Sequence, residues 1–351
     1  MIRSWIVTGV LLTISGFGGL LNAQSAGDLV NFLQTGEEDA SKLTSAYINP
    51  LVEGLSYGMN GGWYTTAKAH KTLGFDLSVS LNGVFIPSSQ RYFEPGKLGL
   101  NNTQLSPNDP DGKVPTVIGP EESTTYETVI QTPDGPQRFT FDGPEGLDMK
   151  KRFKVQGVVT PMIQIGVGIY KSTDLKIRFA PETKVGDDGR VKMIGFGLMH
   201  DIKQHIPGLK IMPFDLSVLI GYTKVSGDVN MESAAFPPPA GNTDAQRMPF
   251  ELNGWLVQAL ISKKLSMFTF YGGVGYNAIK SNAHVKGSYV IYSGPNGSDV
   301  TLTDPVNLDF KNKSFRLNGG FRFNLAAFFI NAEYIWQEYS TATLGLGLTF
   351  R

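Results

Sequence analysis

The chain has 351 residues, 31 Lys and Arg against 31 Asp and Glu, no cysteine and 41 glycines, with a mildly negative mean hydropathy. Balanced charge removes the basic surface that a nucleic-acid partner requires, and the lack of cysteine excludes disulfides, thiol catalysis and thiolate metal sites. Past the N-terminus no apolar run reaches the roughly 18 residues that a spanning helix needs, so a helical membrane protein is excluded as well.

Residues Met1 to Ala23 carry Arg3, an apolar run from Trp5 to Leu21, and Leu21-Asn22-Ala23 before Gln24. A basic start, a core of this length and a small residue at the cut predict a cleavable signal peptide over 1–23 and export in a Gram-negative cell. From Ser25 to about Tyr47 the periodicity is helical. Leu29, Phe32 and Leu33 share one face; Ala40, Leu43 and Tyr47 share the next, behind the acidic Glu37, Glu38 and Asp39. Pro50 is expected to stop the second helix, and Gly54 to Gly62 is too glycine-rich for a regular element. Residues 24–62 therefore predict a small helical hatch, set at the periplasmic mouth of a strand-built domain or partly inside it.

From 63 to 351 the pattern alternates with the period of a strand. The closing stretch is the clearest: Leu344, Leu346, Leu348 and Phe350 oppose Gly345, Gly347 and Thr349. Nine earlier stretches repeat it. The first, around Thr72 to Ile86, sets Leu73, Phe75, Leu77, Val79 and Leu81 against Asp76, Ser78, Ser80 and Asn82. The second runs from about Lys154 to Gly168 with Val155, Val159, Ile163, Ile165 and Val167 outward. The third alternates Leu175, Ile177 and Phe179 with Lys176 and Arg178. In the sixth, Trp255 and Val257 share a face with Glu251 and Asn253, which leaves its register open. In the eighth, Phe315, Leu317, Phe321 and Phe323 oppose Arg316, Asn318 and Arg322.

An even count of about ten strands brings both termini to one side, and the connections alternate between short turns and the long loops expected outside an outer-membrane barrel. Phe214, Phe268, Phe323, Phe328 and Phe350 collect at one edge of the apolar band and Tyr222, Tyr276, Tyr334 and Trp336 at the other, as two girdles do. The fold class predicted is an all-β, antiparallel outer-membrane β-barrel behind a helical N-terminal segment. A soluble sandwich would also alternate, but would leave the loop asymmetry and the girdles without a cause. The longest loop, 87–151, is rich in proline and holds an expected hairpin of Thr125 to Gln131 with Gln137 to Phe141. Ser288 to Tyr292 and Val300 to Leu302 predict another. These hairpins could be outer extensions or could raise the strand count to about twelve or fourteen.

Inward charges of both signs are the candidate lumen residues: Asp76, Lys176, Arg178, Asp215, Arg316, Arg322 and Glu333. They read either as a pathway selecting solutes or as paired filler in a lumen too narrow to stay empty. The histidines His70, His200, His205 and His284 lack a metal-ligand spacing. His284 with Ser288 is a candidate ester-hydrolysing pair, but it lacks the alternate-residue spacing that would join the two side chains. Asp109-Pro110-Asp111-Gly112 and Gly186-Asp187-Asp188-Gly189 are acidic turns short of a calcium pattern.

Asn49-Pro50-Leu51, Gly58-Met59-Asn60-Gly61-Gly62 and Lys171-Ser172-Thr173-Asp174 before Leu175-Lys176-Ile177-Arg178 resemble a group of poorly characterised outer-membrane barrels of Bacteroidota. That group is distantly similar to the long-chain fatty-acid transporter superfamily, in which an N-terminal hatch precedes the barrel. The resemblance implies a hatch here and either uptake of a hydrophobic solute or a subunit role, since relatives of that superfamily serve as accessory parts of secretion machinery. This chain departs from the superfamily in having fewer strands and polar inward faces, and no ligand residues are carried over. The expectation is a non-enzymatic accessory subunit of an outer-membrane complex, with a passive transporter or pore as the alternative and a surface lipid hydrolase a distant third. No cofactor or metal is expected. The partners expected are outer-membrane lipid and other membrane proteins, with insertion by the barrel-assembly machinery.

Overall fold

The computed structural model describes residues 28–107, 112–153, 156–185, 189–294 and 298–350. The expected signal peptide, Lys154 and Val155 of the second strand, and most of the two acidic turns lie outside them.

Ten strands close into an antiparallel barrel. They are β1 (Phe75–Phe85), β2 (Gly157–Gly168), β3 (Thr173–Val185), β4 (Gly189–Asp201), β5 (Asp215–Asn230), β6 (Arg247–Leu265), β7 (Phe268–Val285), β8 (Val306–Leu325), β9 (Phe328–Trp336) and β10 (Thr341–Phe350). The last strand closes on the first, with Phe75 opposite Phe350 and Leu81 opposite Leu344. Both loop hairpins form small sheets of their own and add nothing to the wall, so the strand count stays at ten.

The alternation sorts as a barrel in lipid requires, with apolar side chains exposed outside and polar ones buried inside. Leu344, Leu346 and Phe350 are exposed, as are Ile194, Phe196 and Leu198 on β4. Tyr222 packs on Trp255 and Tyr334 on Trp336 toward the long-loop end, while Phe75 stacks on Phe350 and Phe268 packs on Phe323 at the short-turn end. The open register of the sixth strand also has a cause. β5 and β6 are 16 and 19 residues long, well beyond the roughly 9–11 that cross a bilayer. Glu251 and Asn253 therefore stand beyond the apolar band, where Lys224 pairs with Glu251 at 2.7 Å and Tyr222 Oη donates to Asn253 at 2.8 Å.

One stretch of wall is unzipped. β2 and β3 pair from Gly168 opposite Asp174 to Ile163 opposite Phe179 and no further. Continuing that register sets Pro161 opposite Pro181, two residues without an N–H to give a ladder. Beyond them β2 stays on β1, and β3 stays on β4 with a register shift between Ala180 and Thr183.

The N-terminal segment departs from expectation in two ways. A short 3₁₀ turn, Val30–Thr35, leads into one helix, α1 (Glu37–Gly58), which passes through Pro50 rather than ending there. Proline removes one donor from the helical ladder, and the Tyr47 carbonyl, less than a turn before it, accepts from the Val117 N–H of the first loop. A loop N–H thus bonds the helix one residue past the Ala46 carbonyl that Pro50 leaves without its ladder donor, and α1 also carries Gly54 and Gly58 in its last turns.

The second difference is placement. α1 begins among the long loops, at the opposite end from the short turns where the hatch was expected. The Asp39 carboxylate accepts from the N–H groups of Asn101 and Asn102, Lys42 Nζ donates to the Gly99 carbonyl, and Tyr47 Oη donates to the Glu145 carbonyl. Phe32, Leu33, Leu43 and Tyr126 share the apolar core of this outer cap. The even strand number brings the two ends of the barrel together, but Asp28 lies at the other end of the molecule.

Leu346 sits mid-way along the outward face of β10. Leu346→Arg is expected to destabilise the barrel by about 2–4 kcal/mol, the cost of a cation near the bilayer midplane. Denaturant titration of the protein folded into lipid vesicles checks this.

Candidate functional site: the filled lumen

After Gly58 the chain leaves helical geometry and descends through the barrel to the start of β1. The descent follows the wall residue by residue. On β5, Thr223 faces Met59 and Asn60, Gly221 faces Trp63, and Ser217 donates to the Ala67 carbonyl. On β8, Arg316 reaches Asn60, Asn318 reaches Tyr64 and Arg322 reaches Thr65. The Leu73 N–H finally donates to the Gly168 carbonyl, at the inner end of β2.

A segment buried away from water must find partners for its backbone groups, and it has no neighbouring strand of its own. The wall side chains supply them. Arg178 on β3 donates to the carbonyls of Met59 and Gly61 at 3.0 and 3.1 Å and to Gln164 Oε1 at 2.9 Å. Its guanidinium lies 3.5 Å from the centre of the Trp63 ring, a cation–π contact in a dry site. Arg316 donates to the Asn60 carbonyl at 2.7 Å and stands 3.7 Å from Glu333, which accepts from Asn318 at 2.8 Å. Arg322 donates to Thr65 Oγ1 at 3.0 Å with its guanidinium 3.7 Å from the Phe329 ring centre. Gln164 donates to the Trp63 carbonyl, and Ser262 Oγ accepts from the Ala67 N–H.

At the inner end His70 is locked between carboxylates. Asp174 accepts from the His70 N–H at 2.8 Å and lies 2.9 Å from its Nδ1, with Asp76 3.7 Å from Nε2 and Lys176 3.8 Å from Asp174. All four side chains are buried. At the outer end Tyr57 Oη donates to Glu338 Oε2 at 2.6 Å. Burial, and then that carboxylate, push the Tyr57 phenol above its ordinary range.

Glycine makes the room. A Cβ on Gly197 would lie 2.6 Å from the Trp63 ring, and one on Gly221 2.8 Å from its other side, so the two form a slot for the indole. The lumen is full at mid-height: Asn82, Arg178, Leu219, Thr223, Asn277 and Thr343, from five of the ten strands, are each 0% exposed.

Six of the seven charges expected in the lumen, Asp76, Lys176, Arg178, Arg316, Arg322 and Glu333, are buried and gathered around this segment. Asp215 stands apart. It is half-buried at the short-turn mouth, where it lines a polar cavity of about 400 Å³ with Lys68, Lys71, Lys171 and Asp201. Sequence reasoning did not count Asp174 among the lumen charges, although its parity with Lys176 and Arg178 already turned it inward. It also missed Trp63 and Tyr64, whose partners are remote in sequence.

The structure brings together a pair not expected. His200 and His205 lie with Nε2 atoms 2.9 Å apart, and Thr173 Oγ1 lies 2.8 Å from His200 Nδ1. Among the described residues no group of three or more His, Asp or Glu side chains could hold a metal ion. Ser288, the candidate partner of His284, is engaged by Asn242 and Thr303.

A closed antiparallel barrel with an apolar belt, short turns at one end and long loops at the other is the fold of an outer-membrane β-barrel. The chain belongs to a family of unknown function (DUF6588), whose model matches residues 2–350. No curated protein matches it. Among solved structures, the translocator domain of the autotransporter NalP from Neisseria meningitidis is similar at a TM-score of 0.30 and 10% identity, covering 89% of this chain and 98% of that one. Ail of Yersinia pestis gives 0.26 and 9%, covering 80% and 99%. The outer membrane channel DcaP of Acinetobacter baumannii gives 0.18 and 10%, covering 82% and 99%. Likeness at these scores carries nothing over to this chain.

Arg178→Met keeps the length of the side chain and removes its donors. It leaves the carbonyls of Met59 and Gly61 without their wall donor, at about 1–3 kcal/mol for each buried group left unpaired. A lowered unfolding midpoint, with a folded barrel still migrating as a heat-modifiable band, is the outcome expected.

Proposed function

We propose that this protein is a non-conducting, non-enzymatic outer-membrane barrel that serves as an accessory subunit of a larger outer-membrane complex. The observation that supports the reading is the filled lumen. The N-terminal segment runs its whole length, and each inward arginine is committed to it or to a wall partner. A barrel so closed offers partners its outer cap, which α1 and the 87–151 loop build together. Its apolar belt faces outer-membrane lipid, with the short turns in the periplasm, and its insertion falls to the barrel-assembly machinery.

One observation favours a second reading, transfer of a hydrophobic solute. Met162 and Ala180 flank the unzipped β2–β3 seam, and behind them lies an apolar cluster with Met59, Met193, Val225 and Leu252. Methionine adapts its shape readily to an apolar guest.

Two measurements separate these readings from a pore. In planar bilayers the intact protein is expected to be silent, whereas deletion of residues 24–68 opens steps with a preference for anions. The emptied lumen would present Lys176, Arg178, Arg316 and Arg322 against Asp76, Asp174 and Glu333. Steady openings of the intact barrel would sink the closed-subunit reading. The mass of the particle purified gently from its native membrane tests the rest: a stoichiometric protein partner supports a subunit, and a lone barrel carrying a bound apolar molecule supports transfer.

A further inference from the structure

The geometry points to a barrel that carries its own N-terminal segment across the membrane and displays it at the cell surface. This rests on the membrane orientation proposed above, with the long loops outside.

Three observations carry it. The described chain begins at the long-loop end, where Asn31 Nδ2 donates to the Asp142 carbonyl and Asp39 is held by Asn101 and Asn102. The descent to β1 is one-way: the wall partners of Met59, Trp63, Ala67 and His70 lie successively nearer the short turns. Finally, β1 starts and β10 ends at the short-turn end, so the chain crosses the full height of the barrel before the first strand begins. Residues 59–74 are therefore an additional, intraluminal crossing, and the start of α1 lies on the opposite side of the membrane from Phe75.

The packing also orders the events. Where Gly197 and Gly221 close on Trp63, the lumen holds one extended chain and its side chains. The outer cap, with α1, the 3₁₀ turn and the loop sheet packed as one core, is far wider than that passage. It cannot be drawn through a closed barrel after folding. The segment must lie between β1 and the later strands while the wall is still open, with β10 closing around it and the cap folding outside.

The absence of cysteine from the chain permits a clean test. Single variants Glu37→Cys at the start of α1, Thr140→Cys in the outer hairpin and Lys210→Cys between β4 and β5 place one thiol each at exposed positions. Cells expressing each are treated with a membrane-impermeant maleimide, intact or after permeabilisation, and heat-modifiable migration confirms that each barrel is folded. Glu37→Cys and Thr140→Cys are expected to label equally in intact and permeabilised cells, and Lys210→Cys only after permeabilisation. If Glu37→Cys needs permeabilisation while Thr140→Cys does not, surface display is overturned and the barrel's orientation stands. If both need it and Lys210→Cys labels in intact cells, display falls together with the orientation.

Discussion

The structure depends on a reciprocal satisfaction of buried groups. A guanidinium inside a dry barrel is costly unless its N–H groups find acceptors, and a carbonyl inside the same barrel is costly without a donor. The terminal N–H groups of Arg178 and Arg316 find acceptors here, while the Nε of each does not. Arg178, Arg316 and Arg322 outnumber the acidic side chains at their level, where Glu333 is the carboxylate beside them. They settle on the backbone of residues 59–61, on Thr65 and on the faces of Trp63 and Phe329. Neither side stands alone: without the segment the arginines lose acceptors, and without the arginines the segment loses donors. That mutual dependence ties plug and wall into one network of contacts.

The same logic explains where glycine falls on the inward faces. A narrow barrel ordinarily fills itself with its own side chains. Here the wall gives up volume at Gly197, Gly221 and Gly254 so that Trp63 and Met59 can supply it from the segment. Alternation of large apolar and glycine residues along β4, which reads as a lipid face opposite a small face, is also the imprint of what the small face accommodates.

Much of this was legible in the sequence because a strand in a membrane barrel is a local object. Alternation fixes which face each residue takes, and loop lengths fix which end each strand starts from, so Arg178 and Arg316 turn inward from the pattern alone. The segment was another matter. Pro50 and Gly54 normally end a helix, and the carbonyl of Tyr47 is accommodated by Val117, some seventy residues away. Nothing local announces that. The direction in which residues 59–74 run is equally silent, since an extended polar stretch with glycines suits either end of a barrel. Six inward charges, read as a pathway or as paired filler, gather around a segment that no alternation marks.

The unzipped seam joins these features. Pro161 and Pro181 end the β2–β3 ladder, and open backbone edges at membrane depth are tolerated only where protein covers them. The cover comes from within. Gly54 of α1 lies against Val158, Gly58 lies against Thr160, and the Asn82 amide that donates to the Gly58 carbonyl also reaches Met162. The unpaired half of β2 is thus held by β1 on one side and by the last turns of α1 behind it. The helix that Pro50 fails to stop reaches down far enough to back the stretch of wall that two other prolines leave open. Plug, cap and seam consequently share one element. Any partner or solute that shifts α1 acts on the integrity of the wall as well as on the closure of the lumen.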